Sequence, residues 1–384
     1  MSAHFPVPTR ERNRMPFADE LISDHTATQL ADGVRAAAPE VVLHALPGAV
    51  GRLGDLSLRE RADLLRDALL ADVPGGYADL ARVVRAARDG TAPFDGWLIW
   101  PVTSAVAVRA VEDGTEAAFD DAMALLASLT GRLTAEFAIR TLLRHDLDRA
   151  LAIATAWTRS DDVDVRRLAS EGTRPYLPWA VRVPEILARP GVTVPVLDAL
   201  YRDESEYVRR SVANHLNDLS RDHPELVVST AGRWLADPAP TTAAVVRHAL
   251  RTLVKRGHPG ALELLGFGPA TVQVDGPVLA ATRVPFGGTA RFTAAVRNLG
   301  TEPARLSVDY VVHHRKANGS QTAKTFKLTT RTLAPGERLE ISRDHSFRPI
   351  TTRRYHPGPH AVALQVNGVT TDPVAFELEA PAET

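Results

Sequence analysis

Charged side chains recur in this sequence at the spacing of successive helical turns. Arg167, Glu171 and Arg174 are separated by four and three residues, and Arg210, Asn214, Asp218 and Arg221 by four, four and three. Arg247, Arg251 and Lys255 repeat the pattern, as do Glu136, Arg140 and Arg144 upstream. Residues so spaced share one face of a helix. Arginines grip oxyanions, and carboxylates among them suggest chemistry as well as grip, since they can stabilise a developing positive charge or orient a water. Acid–base pairs at this spacing also form ordinary surface pairs worth a few tenths of a kcal/mol, so the mixed stripes fit either reading. The all-basic stripe Arg247–Arg251–Lys255 is harder to account for as surface pairing. Its like charges repel unless an anion lies across them, and phosphates on successive turns of a duplex would serve.

The elements that must position these stripes are repeats. Val165-Arg166-Arg167, Val208-Arg209-Arg210 and Val246-Arg247-His248 stand about 40 residues apart, the period of a two-helix HEAT-type repeat. Each helix pair in such a stack buries its apolar face against its neighbours and leaves a long curved surface. Val208, Val212, Leu216 and Leu219 form the buried stripe of the helix beginning near Ser205. Asn214 and Asn217 on that helix each cost roughly 0.7 kcal/mol against alanine, which a working polar face would explain. Asp161-Asp162 and Asp203-Glu204-Ser205 supply N-caps. Further helices are expected at Leu58–Ala71, Tyr77–Arg88, Glu116–Ser128 and Ala135–Arg144.

Residues 1–14 read as a flexible leader and 15–268 as the helical domain. After Gly266-Phe267-Gly268-Pro269 the pattern becomes alternation. Phe292, Ala294 and Val296 point one way, as do Leu306, Val308, Tyr310 and Val312, then Phe326 and Leu328. Turn signals such as Ala317-Asn318-Gly319 and Asn367-Gly368 separate about seven strands over 269–384. The expected fold is therefore an α + β two-domain chain, an N-terminal HEAT-like α-solenoid followed by a C-terminal immunoglobulin-like β-sandwich without a disulfide.

Composition narrows the chemistry. No cysteine occurs among the 384 residues, which excludes thiolate nucleophiles and zinc–sulfur sites and fits a cytoplasmic protein. The thirteen histidines show no metal spacing, so neither metal nor cofactor is expected. Arg10, Glu11, Arg12 and Arg14 interrupt the start, and the longest charge-free apolar run, Gly96 to Val108, contains Pro101. A span needs about 20 apolar residues, so no membrane association is expected. A net charge of −1 leaves any case for nucleic acid to local placement. Trp157, Trp97 and Trp100 read as packing residues. Trp179 follows Pro175 and Pro178, at a break between helices where a ring can project.

Several motifs in order resemble the AlkC branch of the HEAT-like-repeat alkylpurine DNA glycosylases. They are Glu136-Phe137-Ala138-Ile139-Arg140, Arg166 to Gly172, Arg174-Pro175 with Leu177-Pro178-Trp179-Ala180, Val208 to Asp218, and Val246 to Leu253. The sandwich contributes Asp309 to His314, Lys316 to Gly319, His345-Ser346-Phe347 and Ile350 to Arg353. The resemblance covers nearly all of the chain beyond residue 15. Thr141 and Thr173 stand where proline and cysteine are expected in relatives.

The resemblance implies a monofunctional glycosylase that removes cationic bases, chiefly 3-methyladenine, from double-stranded DNA. Its catalytic positions would fall on Glu136, Glu171, Trp179 and Asp218. Arg140, Arg166, Arg167, Arg174, Arg210, Asn214, Arg247, Arg251 and Lys255 would hold DNA, joined by Lys316, Asn318 and Arg353 of a sandwich that clamps the duplex. A monomer is expected. The competing reading is a non-catalytic HEAT-repeat scaffold for DNA or protein, its carboxylates serving as salt-bridge partners.

Overall fold

The computed structural model describes residues 21–350 and 353–381. The expected leader 1–14 and residues Thr351 and Thr352 lie outside the described residues. The chain divides into two compact units, 1–215 and 216–384.

The first unit is helical. It holds α1 (Asp24–Ala37), α2 (Ala45–Ala49), α3 (Leu58–Asp72), α4 (Tyr77–Asp89), α5 (Ile99–Asp113) and α6 (Glu116–Leu129). Then come α7 (Ile139–His145), α8 (Leu147–Trp157), α9 (Val163–Glu171), α10 (Pro184–Ala188) and α11 (Val194–Leu200). Local chemistry sets the ends. The Ser57 N–H donates to Glu60 Oε2 at 2.8 Å at the start of α3, Thr115 accepts from the Ala118 N–H at the start of α6, and Gly114 turns left-handed to close α5. One apolar core runs from Ile22 to Ile186. Within it the Trp100 ring stacks on Phe137 with centroids 4.0 Å apart.

The helix expected from Ala135 begins instead at Ile139. The hydroxyls of Thr130 and Thr134 accept the N–H groups of Ala135 and Glu136, each at 3.2 Å, and this competes with the helical ladder. Glu136 consequently sits in the turn before α7. The next helix, α12 (Glu206–Leu219), contains the division between the two units.

The second unit carries α13 (Pro224–Ala236), α14 (Thr242–Ala249), α15 (Arg251–Lys255) and α16 (Pro259–Leu264) before its strands. Two antiparallel-dominated sheets follow. One has the order β1 (Val272–Leu279), β3 (Thr289–Asn298), β6 (Arg338–Ser346). The other runs β2 (Arg283–Val284), β9 (Val374–Leu378), β7 (Gly358–Val366), β4 (Ala304–Arg315), β5 (Gln321–Leu333), with β8 (Val369–Thr370) on β7. The expected inward residues Phe292, Ala294, Val296, Leu306, Val308, Tyr310 and Val312 all lie in the core between them. Among the described residues nine strands replace the seven expected, because β2 and β8 are two-residue pairings too short to show alternation.

Helices and sandwich meet closely inside this unit. A β-carbon on Gly257 would stand 2.7 Å from the Gly368 carbonyl oxygen, and both glycines have positive φ. Only glycine allows this approach of backbone to backbone. The Lys255 carbonyl accepts from Thr325 Oγ1 at 3.0 Å, Arg305 Nη1 donates to the Leu265 carbonyl at 3.1 Å, and Asn367 Nδ2 donates to the Gly268 carbonyl at 2.8 Å.

Candidate active site

Two carboxylates and two arginines of the first unit form one cluster. Glu136, from the turn before α7, accepts at Oε2 from Arg167 Nη1 at 2.6 Å and from Thr134 Oγ1 at 2.9 Å. Arg167 lies in α9 and brings its Nη2 to 3.7 Å from Glu171 Oε1. Glu171 ends α9, where the helix dipole disfavours a carboxylate. Arg174 offsets this, its Nη1 lying 2.5 Å from Glu171 Oε1. Ser211 of α12 donates to Glu171 Oε2 at 2.6 Å. Burial pushes the Glu171 carboxyl up, but Arg174, Arg167 and Ser211 together hold it below the ordinary range. Burial works against the Arg167 charge, and Glu136, Glu171 and Tyr207 outweigh it. Glu171 and Arg167 therefore both keep their charge despite burial.

Beside it runs the loop that follows Glu171. Arg140 organises this segment: its Nη1 donates to the carbonyls of Gly172 and Arg174 at 3.1 and 2.8 Å, and its Nε donates to the Val181 carbonyl. Within the loop Trp179 adopts φ 59°, a left-handed conformation that costs a residue with a side chain about 1–2 kcal/mol. Arg59 donates to the Trp179 carbonyl. The indole is 53% exposed, while Trp100 and Trp234 are buried and Trp97 and Trp157 pack against the core. A strained backbone that holds a large aromatic ring in solvent is an arrangement a contact surface would need.

Tyr207, near the start of α12, was not singled out in the sequence. Its ring lies under the Arg167 guanidinium, 4.9 Å from centroid to Cζ. Burial pushes its phenol up, and the nearby charges of Asp164, Glu136 and Glu171 push the same way against Arg167. The signal available was its place forty residues beyond Arg167, in the next repeat. Asp218 lies in the second unit, half-buried on the last turn of α12.

The expected DNA-holding residues divide sharply. Arg140 is fully buried, and its Nε and Nη1 donate to backbone carbonyls. Arg166 is also buried, pairing with Asp203 at 2.7 Å and with the carbonyls of Ser160 and Asp161. Arg174 is buried against Glu171, and Arg167 is held by Glu136. Arg353 turns inward, its Nη1 2.8 Å from His314 Nε2. In these five the guanidinium is engaged inside the protein, and a donor engaged in a low-dielectric setting has less to offer a phosphate than an exposed one. Arg210 is exposed and pairs with Glu206 at 2.8 Å. Arg247, Lys255, Lys316 and Asn318 are exposed, and Asn214 and Arg251 are half-buried. Lys316 and Asn318 sit at the tip of the β4–β5 hairpin, where Gly319 takes φ 83°.

No helix among the described residues is long and apolar enough to cross a membrane. The family described as "Uncharacterised protein YhaZ, C-terminal Ig-like domain" matches residues 273–380. YhaZ of Bacillus subtilis (strain 168) is 32% identical over 364 residues, covering 94% of this chain and 98% of that protein. The structure of Pseudomonas fluorescens alkylpurine DNA glycosylase AlkC, bound to DNA containing an abasic site analog, superposes with a TM-score of 0.81 at 35% identity. It covers 95% of this chain and 100% of that one. Helical repeats, sandwich and carboxylate cluster thus occur in a sequence that is alike over nearly its whole length, and the chain belongs to the AlkC-type family of HEAT-like-repeat alkylpurine DNA glycosylases with a C-terminal immunoglobulin-like domain.

Proposed function

We propose that this protein hydrolyses the N-glycosidic bond of cationic alkylated bases in double-stranded DNA, chiefly 3-methyladenine. One observation carries the reading: two carboxylates, Glu136 and Glu171, are held on one arginine beside a loop that keeps Trp179 in solvent. The DNA-bound state of the AlkC structure supports duplex DNA as the partner.

The chemistry needs little more. A 3-methylated adenine already carries positive charge, so its bond is weak and departure requires no general acid. What remains is to stabilise an oxocarbenium-like sugar and direct a water. Glu136, Glu171 and Asp218 bring negative charge to that task, and one of them orients the water. Trp179 offers a π surface to the cationic base or sugar, worth about 0.5–2 kcal/mol. Neutral adenine gains nothing from such a site, which accounts for selectivity. Arg210, Asn214, Arg247, Arg251 and Lys255, with Lys316 and Asn318 of the sandwich, are the residues that hold the phosphates.

The test is base release from methylated duplex. Asp218→Asn is expected to bind DNA as the unaltered protein does and to release 3-methyladenine about 100-fold more slowly or worse. Unchanged release would remove Asp218 from the mechanism. The ion pairs of Glu136 and Glu171 also favour a second reading, a non-catalytic DNA-binding scaffold. That reading expects duplex binding without base release from the unaltered protein.

A further inference from the structure

Within the second unit, helices and sandwich border a half-open cavity of about 720 Å³. Five cationic side chains line it: Arg247 and Arg251 with Lys255 from the helices, Arg305 and Lys327 from β4 and β5. A single carboxylate, Asp309, faces them. Lys327 Nζ stands 3.5 Å from Asp309 Oδ1 and donates to Ser307 Oγ at 2.7 Å. Among the described residues Arg247, Lys255 and Arg305 form no ion pair, since Asp309 is taken by Lys327. Leu235, Val254, Leu264, Leu265 and Phe267 make the apolar part of the lining, and Ser307 and Thr330 add two hydroxyls. The Arg305 guanidinium lies 4.7 Å over the Phe267 ring, leaving it oriented and partly covered.

Like charges converging on a concavity raise its potential and repel one another until an anion enters. The walls are preformed, because the Gly257–Gly368 approach and the hydrogen bonds to the Lys255 and Leu265 carbonyls fix helices against strands. An apolar floor under a cationic rim selects a ligand with both characters. A duplex offers only phosphates at such a mouth and nothing to seat on Leu264 or Phe267.

We propose that this cavity binds a phosphomonoester with an aromatic or other apolar body, of the size of a mononucleotide. Its phosphate sits among Arg247, Arg251 and Lys327, and its body lies on the Leu235–Val254–Leu264 floor. The site shares Arg247, Arg251 and Lys255 with the DNA contacts proposed above, but its measurement needs no base release, so the two readings can fail separately.

Calorimetric titration of the full chain at low salt with AMP, inorganic phosphate and adenosine tests it. AMP is expected to bind about tenfold or more tightly than either fragment, since both halves of the site are then engaged. Lys327→Gln removes a charge, and Ala243→Trp fills the mouth while leaving every charge in place; each is expected to weaken AMP about tenfold. AMP binding no tighter than inorganic phosphate would leave only a diffuse cationic patch and overturn the site. Unaltered AMP affinity in both variants would place the ligand elsewhere and overturn it equally. Duplex contacts at these cations survive Ala243→Trp, so if undamaged duplex lost as much affinity for that variant as AMP did, the cavity interior would itself seat DNA and the proposal would fall. Circular dichroism of both variants checks that they are folded.

Discussion

Arg140 and Tyr207 show what residue types conceal. Spacing put Arg140 on a stripe with Glu136 and Arg144, but spacing marks a face without saying whether that face is wet. Arg140 belongs to a seven-residue helix whose Ile139, Leu142 and Leu143 are also buried, so its guanidinium works inside, on the loop carrying Trp179. Tyr207 went unnoticed because an aromatic residue ahead of Val208-Arg209-Arg210 reads as packing. Only coordinates reveal Arg167 stacked on it. Glu136 and Glu171, by contrast, could be picked from stripe and motif, and the structure brings them onto one arginine. Removing the ring with Tyr207→Ala is expected to loosen Arg167 and slow base release about 3- to 30-fold, the equivalent of 0.5–2 kcal/mol. Its acid limb should also move to higher pH, because carboxylates with a less fixed cation ionise less readily. Tyr207→Phe keeps the ring and should behave as the unaltered protein. Single-turnover rates across pH decide between these outcomes.

Among elements, the join of α7 to α9 governs the cluster. A β-carbon at Gly172 would lie 2.7 Å from Ile139 Cγ2 and 3.0 Å from the Leu168 carbonyl oxygen. No glycine signal in the sequence distinguishes such a packing contact from a helix end, since Gly172 follows Glu171 as an ordinary terminator would. Gly172→Ala should force α9 away from α7, displacing Glu171 relative to Glu136. A loss of about 1–3 kcal/mol in urea unfolding is expected, together with slower base release. A variant as stable as the parent would show that the two helices part freely. The helix ends with polar caps were readable, as at Asp162, which accepts from the Asp164 N–H at 2.8 Å. The start of α7 was not, because two threonine hydroxyls outcompete its first helical turn.

Across the molecule, three of the four buried histidines among the described residues dominate the response to acid. Burial foremost pushes His215 down to about 3, with its Nδ1 2.9 Å from the Ser170 carbonyl oxygen. His314 falls to about 3 and His345 to about 4, again chiefly through burial and then the charge of Arg353. Each is neutral when folded but binds a proton near pH 6.5 when unfolded. The unfolded chain therefore takes up more protons as pH drops, and stability present above about 6.5 is lost towards 4. Each histidine contributes about 2 kcal/mol of that loss between pH 6.5 and 5. Urea midpoints at pH 7.5 and 5 should show a marked fall, and His215→Asn should blunt it. Equal midpoints would mean the imidazoles are solvated.

Secondary structure changes character near residue 268, and the family match begins at 273, so a strand-only fragment looks like the natural piece to isolate. The backbone-to-backbone glycine contact argues otherwise. Ser307 and Asp309 are buried on the outer face of β4, where the preceding α15–α16 segment shelters them. Expressed alone, residues 269–384 would bare that face and should aggregate or melt early, whereas a fragment from Pro224 onward should remain monodisperse. Inheritance would then act on the larger piece. A lineage could exchange or discard this module only by carrying its four helices along.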